Sequence, residues 1–359
     1  MALSTCSYMA DLGDVSRASQ AFDCPDVVSS FISRYGLFVF ELLLRDRTTG
    51  RNIIWADDEY AFLGDGYRAS DELSASRLTG LHSGIIRPRV AKALENRTSR
   101  TKAHAEVFTP SWLVNRMNNV LDEEWFGRPD AFNVATKTGW DTNRRPVEFP
   151  GVKGRDWHAY VQSTRLEITC GEAPFLCSRY DSVTGDRVPV RDRIGILDRK
   201  LRVVGERSGT KKTWYKWALE ALRATYGYEY QGDNLLMARI NVFETFAEHM
   251  RDRWSSGLAD EQMDEVAWVV SWNLWQMDGL TCAPPTSARD AIVQSTLGSF
   301  TEPEPVSRQL SLFDGIDDFA DFTVQAEPMD DGICVPLCII YDWENNSPFE
   351  FAALKGSVI

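Results

Sequence analysis

The stretch Arg-Leu-Glu-Ile-Thr-Cys-Gly-Glu-Ala-Pro-Phe-Leu, at residues 165–176, decides the fold of this chain. Its first part, Leu166 to Thr169, predicts a short apolar strand, which turns at Cys170-Gly171 and is expected to enter a helix. A strand that leads through a glycine-containing turn into a helix is a common binding site for nucleotide-like ligands. Glycine lets the ligand approach the backbone, and the free N–H groups of the helix start meet its polar atoms.

The composition is that of a globular protein with a real core. The chain has 359 residues, of which 43% are apolar, enough for one large domain or two moderate ones. No apolar run reaches the roughly 18 residues of a membrane span, and the amino terminus lacks the pattern of a secretory signal. Seven cysteines without framework spacing predict free thiols in a reducing compartment. We therefore expect a cytoplasmic protein with no membrane partner.

The net charge of −13 argues against indiscriminate binding of nucleic acid. Two segments are nevertheless basic, Arg87 to Lys102 and Arg191 to Lys212. Each segment is either an exposed charged face or a local groove for an anionic partner, and the sequence leaves both interpretations open.

Residues 1–100 predict an N-terminal extension that is partly helical. Apolar residues at helical spacing begin at Val27, with Asp26 in the N-cap position, and Gly36 is expected to weaken this helix without interrupting it. Another helix is expected to open at Thr109-Pro110, because threonine is a good N-cap and proline is favoured at the first helical position.

Residues 101–359 predict an α/β domain in which strands and helices alternate. The stretch at 165–176, with its strand at 166–169, is followed by an insertion near 180–212, an amphipathic helix around Trp214 to Leu222 and a strand at Tyr228 to Tyr230. The remaining elements are helices at 233–250 and 262–276, a loop or linker near 281–332, and a third strand at Cys338 to Asp342.

Alternating strands and helices predict a parallel sheet, which binds ligands at the carboxyl ends of its strands. The Cys170-Gly171 turn and Glu229 should both lie at that edge. An acid at the end of the second strand can accept hydrogen bonds from two ribose hydroxyls, as acids do in dinucleotide-binding folds. A surface acid at a strand end is the structural alternative.

Three segments in this order resemble the N6-adenine DNA methyltransferases of restriction-modification systems: Phe108-Thr109-Pro110, the Cys170-Gly171 turn and the strand that ends at Glu229. The resemblance covers roughly residues 100–245. It implies a Rossmann-like class I methyltransferase domain that binds S-adenosyl-L-methionine.

By this resemblance, Phe108, Thr109 and Pro110 pack beside the cofactor, and Glu167 lies near its methionine amino group. Glu229 binds the ribose. Asp342, at the end of the third strand, holds the adenine ring. Asp278 is a rival for that role, although a helix C-terminus closed by Gly279 also explains it.

The sequence departs from the family at two places. The turn reads Cys-Gly-Glu-Ala where the family has Cys-Gly-x-Gly, so Ala173 carries a Cβ where a positive φ is needed, and Pro174 lacks an N–H. The Asn-Pro-Pro-Tyr motif that holds the flipped adenine is missing. The nearest string is Asn346-Ser347-Pro348-Phe349, so Asn346, Pro348 and Phe349 are the candidate catalytic residues.

Three functions are consistent with these residues, the third being a different nucleotide-binding enzyme of Rossmann type. The first is a modification subunit of a restriction-modification or anti-phage system. This subunit would bind DNA and S-adenosyl-L-methionine, and the missing loop would come from a partner subunit or from another copy in a homo-oligomer. The second is an inactive relative that serves as a scaffold, a sensor or a DNA- or protein-binding subunit. We predict no metal site, because the four histidines show no close pairing and no Cys-x-x-Cys occurs.

Overall fold

A computed structural model describes residues 26–91, 109–285 and 337–356 of the chain. Helices dominate these ranges, and none of them is long and apolar enough to cross a membrane. The α-helices are α1 (Val27–Tyr35), α2 (Leu37–Leu44), α3 (Ala75–Thr79), α4 (Ser111–Phe126), α5 (Trp157–Gln162), α6 (Ile196–Arg207), α7 (Lys211–Arg223), α8 (Gly232–Trp254) and α9 (Asp260–Asn273). The strands are β1 (Asn133–Ala135), β2 (Trp140–Thr142), β3 (Arg165–Glu167), β4 (Thr225–Glu229), β5 (Leu274–Gln276), β6 (Ile339–Asp342) and β7 (Ser347–Glu350). Short 3-10 helices lie at Ala61–Leu63, Arg89–Ala91, Val190–Asp192 and Phe351–Gly356.

A small parallel sheet of β3, β4 and β5 forms the centre of the described fold, with the strands adjacent in chain order. Helices α6 and α7 connect β3 to β4, and α8 and α9 connect β4 to β5. This mixture of helices around a parallel sheet confirms the α/β class. It does not by itself identify the methyltransferase variant of that class.

The third parallel strand is β5, and the prediction that placed it at Cys338 to Asp342 was wrong. The preceding helix ends at Asn273, three residues earlier than expected. There the Asn273 side-chain amide donates to the carbonyl of Leu222 at 2.9 Å and to that of Thr225 at 3.0 Å. These bonds hold the end of α9 beside the start of β4, so the chain continues directly as a buried strand.

The carboxyl-terminal strands β6 and β7 form an antiparallel hairpin. Cys338 and Ile340 of this hairpin pack with Tyr228 and Trp275 of the parallel sheet in a small apolar cluster. The hairpin therefore covers one face of the sheet and adds no strand to it.

The N-terminal helices share one hydrophobic core with the rest of the described chain. As predicted, Asp26 caps α1, accepting a hydrogen bond from the Ser29 N–H at 3.1 Å. Gly36, however, separates α1 from α2: its φ of 90° is accessible to glycine and costly for other residues, so the chain bends there. Helix α2 then packs against α9.

The predicted insertion at 180–212 contains both a surface hairpin turn and a core helix. The bridge between Tyr180 and Arg187 confirms the turn. Helix α6, in contrast, is buried along most of its length, including the side chains of Arg199 and Lys200. Part of the basic segment from Arg191 to Lys212 is therefore neither an exposed face nor a groove.

Helix α4 begins one residue later than predicted and buries a different face. Pro110 is its N-cap, and Thr109 makes no capping hydrogen bond with its side chain. The buried face is polar because Arg199 of α6 needs acceptors: its guanidinium pairs with Asp122 and donates to Asn115 at 2.8 Å. Val120, predicted to be buried, is 63% exposed.

Candidate functional site

The turn after β3 and the end of β4 meet at the carboxyl edge of the sheet. The backbone N–H of Gly171 donates to Oε2 of Glu229 at 2.8 Å, and the N–H of Gln231 donates to Oε1 at 3.2 Å. The predicted proximity of Gly171 and Glu229 is confirmed. Each carboxylate oxygen keeps a further lone pair beyond these two bonds, so Glu229 retains capacity to accept from a ligand.

The residues after Gly171 form a compact series of turns, and the predicted helix is absent from this part of the described chain. The Glu167 carboxylate organises these turns by accepting from the N–H of Phe175 at 3.3 Å and from that of Leu176 at 3.1 Å. Ala173 has a φ of 63°, so the left-handed backbone expected here does occur, on a residue with a Cβ.

Two acids are buried side by side at this edge. Burial raises the pKa of Glu167 well above its ordinary value, backbone N–H donors oppose the shift, and the nearby Glu229 adds to it. Burial likewise raises the pKa of Glu229, while the N–H groups of Gly171 and Gln231 lower it. Burial therefore disfavours the charged form of both acids, while either form keeps an oxygen that accepts a hydrogen bond from a hydroxyl or amino group.

Asp278, and not Asp342, lies at the end of the third parallel strand. Two residues after β5, it is half-buried, and its Oδ1 accepts from the N–H of Leu280 at 2.8 Å. The adjacent Met277 N–H donates to the Glu229 carbonyl at 3.0 Å, which keeps the end of β5 beside the end of β4. The helix C-terminus that was the alternative explanation for Asp278 does not occur there.

The structure does not bring Asp342 or the degenerate catalytic string to this edge. Asp342 closes the hairpin turn, where it accepts from the N–H groups of Glu344 at 2.9 Å and Asn345 at 3.0 Å. Asn346 and Pro348 are exposed, and Phe349 is half-buried in β7.

The orientation of the hairpin explains this separation. Trp343 donates to the side chain of Asn273, just before β5, whereas Cys338 lies against the Gln276 carbonyl at the end of β5. The hairpin thus runs from the carboxyl end of the sheet to its amino end. Its turn, which holds Asp342 and Asn346, is at the end opposite to Glu229.

The segment before α4 lies beside the turn that follows β3. Ser182 donates through its hydroxyl to the Thr109 carbonyl at 2.9 Å and through its N–H to Ser111 Oγ at 3.0 Å. Thr109 and Ser111 line a cavity of about 60 Å³ together with Arg89, Glu172 and Tyr180. Phe108 lies outside the described residues.

Residues of the N-terminal part of the chain cover this edge, and no motif in the sequence predicted them. The side-chain amide of Gln276 makes two hydrogen bonds with the backbone of Ile54. It accepts from the Ile54 N–H at 2.9 Å and donates to the Ile54 carbonyl at 2.8 Å. The side chain of Arg89 lies 3.6 Å from where a Cβ on Gly171 would be. Gly232 is the residue in the sequence that could have indicated this close packing, since a Cβ there would come within 2.0 Å of the Ile54 carbonyl oxygen.

Comparison with known protein families, with characterised proteins and with solved structures finds no match to this chain. Among the described residues, no group of three or more histidine, cysteine, aspartate or glutamate side chains is arranged to hold a metal ion.

Proposed function

We propose that this protein binds S-adenosyl-L-methionine at the carboxyl edge of its parallel sheet and takes part in N6-adenine methylation of DNA. In this proposal it is a modification subunit of a cytoplasmic restriction-modification or anti-phage system. The observation that carries the proposal is the hydrogen bond from the Gly171 N–H to Glu229, which joins the turn after β3 to the end of β4.

Three features support a nucleoside at this edge. The spare lone pairs of Glu229 are available to ribose hydroxyls, and Asp278 at the end of β5 offers an acceptor to the base. The Glu167 carboxyl offers an acceptor to the methionine amino group. Thr109 lines a cavity together with Glu172, the residue after Gly171, which supports the role beside the cofactor that the resemblance implies for Thr109 and Pro110.

Transfer of the methyl group requires a loop that this edge lacks within the described residues. Asn346, Pro348 and Phe349 belong to the hairpin whose turn is at the amino end of the sheet. We infer that a partner subunit, or a second copy of this chain, supplies the groups that hold the flipped adenine.

Calorimetric titration of the full chain with S-adenosyl-L-methionine tests the binding step. Glu229→Gln keeps the shape of the side chain and one acceptor for the backbone, but removes the charge that strengthens hydrogen bonds to a ribose. The matched control is Asp342→Asn, the same kind of change at the other end of the sheet. Absence of saturable binding by the parent protein would reject the proposal.

A second candidate function is that of a non-catalytic scaffold or sensor. It is favoured by the cover over the edge: Arg89 lies beside Gly171, and Asp57 accepts from the Gln231 side chain at 3.1 Å. Methyl transfer to DNA, assayed with and without the products of neighbouring genes, separates the two candidates. Cofactor binding without transfer under every combination would favour the scaffold.

A further inference from the structure

A second cavity, of about 450 Å³, lies far from the carboxyl edge. His249 on α8, Trp214 on α7 and Leu201 on α6 form part of its lining, and the chain after β2 closes one side. Helix α8 begins at Gly232 beside the edge, and at about 1.5 Å per residue His249 is about 25 Å further along it. The two sites are therefore separate, and a ligand of this cavity is independent of the proposed function.

Cationic groups surround this cavity. Its lining includes Arg144, Arg191, Arg202 and Arg253. The acids in the lining are Glu206 and Asp252, so the arginines exceed the acids by two, in a chain whose net charge is −13. The local excess of positive charge predicts an anionic ligand.

Within the described part of the chain, two of these arginines pair with no carboxylate. Arg253 donates to the neutral carbonyls of Gly205 at 3.0 Å and Ser208 at 3.5 Å. Arg191 is exposed and makes no hydrogen bond or ion pair within the described part of the chain. By contrast, Arg202 pairs with Glu206 at 2.8 Å, and Arg144 pairs with Asp192 at 2.8 Å.

The floor of the cavity presents an indole N–H. Trp214 is 1% exposed as a residue, but its indole nitrogen is not among the fully buried side-chain atoms that lack a partner in the described ranges. A Cβ on Gly205, another lining residue, would lie 3.8 Å from this nitrogen, which locates it at the cavity wall. This N–H is therefore a donor for an oxygen atom bound in the cavity.

His249 adds a second polar group to the floor. Its Nε2 lies 2.9 Å from Oδ1 of Asp198, which fixes the orientation of the imidazole. Its other ring nitrogen, Nδ1, has no hydrogen-bond partner among the described residues. Indole and guanidinium groups around one cavity form a set of donors that suits a tetrahedral oxyanion.

We propose that this cavity binds a phosphate group. Guanidinium groups pair with phosphate oxygens in a bidentate manner, and the volume falls within the roughly 300–1,000 Å³ of small-molecule sites. The phosphate belongs either to a small ligand, such as a nucleotide, or to the backbone of a nucleic acid. The same donors serve both sources.

Titration of the full chain with inorganic pyrophosphate and, separately, with a short DNA duplex at low salt tests this proposal. We expect at least one probe to bind, and Arg191→Ala and Arg253→Ala each to weaken that binding about tenfold. Trp214→Phe, which keeps a ring but removes the N–H, should weaken it less. Arg68→Ala removes an exposed arginine outside the cavity and should change nothing.

The two probes identify the source of the phosphate. Binding of pyrophosphate alone indicates a small ligand, whereas binding of DNA alone, weakened by added salt, indicates a nucleic acid backbone. Failure of both probes at millimolar concentration, or equal binding by the parent and Arg191→Ala, would overturn the proposal. Neither result affects the titration with S-adenosyl-L-methionine, which concerns the other end of α8.

Discussion

At the carboxyl end of the parallel sheet, carboxylates accept hydrogen bonds from backbone amides, whereas at the amino end side-chain donors meet backbone carbonyls. Glu229 and Glu167 bind the turn at the carboxyl end. At the amino end, Lys200 donates to the carbonyls of Ser163 at 2.6 Å and Ala224 at 3.0 Å, just before β3 and β4.

The two ends of the sheet differ in whether their polar side chains have hydrogen-bonding capacity left for a ligand. Lys200 and Arg239 are at most 1% exposed, and their donors are used to hold the protein together. The acids at the carboxyl end keep lone pairs after their backbone bonds are made. The amino end is therefore a structural seal, and the carboxyl end is the polar edge to which we assign the ligand in the proposed function.

The strongest test of the seal is Arg239→Met. Arg239 donates to the carbonyls of Leu43 at 2.6 Å and Leu274 at 2.7 Å, and burial lowers its pKa to about 9. Removing the guanidinium leaves several buried carbonyls without donors, so we expect a loss of about 4 kcal/mol in the free energy of unfolding. Urea denaturation measures this loss.

The control for this variant is Arg68→Met, at a side chain that is 68% exposed. We expect it to change the free energy of unfolding by less than about 0.5 kcal/mol. Equal stability of the two variants would show that Arg239 is not part of a structural seal.

The binding capacity of the carboxyl end is tested by Glu229→Gln. If the carboxylate accepts from ribose hydroxyls, loss of its charge should weaken the binding of S-adenosyl-L-methionine by roughly 1–3 kcal/mol. Calorimetric titration gives this difference directly. Glutamine is preferred to alanine because alanine would also leave the N–H groups of Gly171 and Gln231 without an acceptor.

The buried lysine of the seal should make stability depend on pH. Burial lowers the pKa of Lys200 well below its ordinary value of 10.5, so in the folded state it loses its proton at a lower pH than in the unfolded state. Between the two pKa values the unfolded chain binds more protons, and the contribution of Lys200 to stability must rise with pH.

The comparison protein for this prediction is Lys200→Met, which does not titrate. Both proteins are denatured with urea from neutral pH to pH about 10. The unfolding free energy of the parent should increase with pH relative to that of Lys200→Met. A constant difference would mean that the pKa of Lys200 is the same in both states.

The smallest effect is expected in the carboxyl-terminal hairpin. Neither Asp342→Asn nor Phe349→Ala should alter the affinity for S-adenosyl-L-methionine, because the hairpin turn lies at the amino end of the sheet. The isolated chain should also transfer no methyl group to DNA. Robust transfer that is lost in Phe349→Ala would return Asn346, Pro348 and Phe349 to the active site.

The sequence predicted the edge correctly where local chemistry decides structure. A strand, a turn at Cys170-Gly171 and an acid at the end of the next strand are each encoded by neighbouring residues, and their order brings them together in a parallel sheet. The cap at Asp26 is local for the same reason.

The predictions were wrong where residues distant in the sequence determine the local structure. The third strand, β5, continues an apolar helix without any turn signal, and the helix ends where Asn273 contacts the start of β4, which is distant in the sequence. The polar face of α4 is buried because Arg199, more than seventy positions away, needs acceptors. The N-terminal cover over Gln276 is likewise invisible to any pattern in the sequence around it.

The most direct test of the central claim is photochemical cross-linking of labelled S-adenosyl-L-methionine to the full chain, followed by tryptic mapping. Trypsin separates the hairpin from the residues of the carboxyl edge on β3 and β4, since cleavage yields the peptides 166–179 and 224–239 for the latter and 309–355 for the hairpin. We predict label in one or both of the first two peptides, and its loss in Glu229→Gln. Label confined to 309–355 would contradict the assignment of the cofactor to the carboxyl edge.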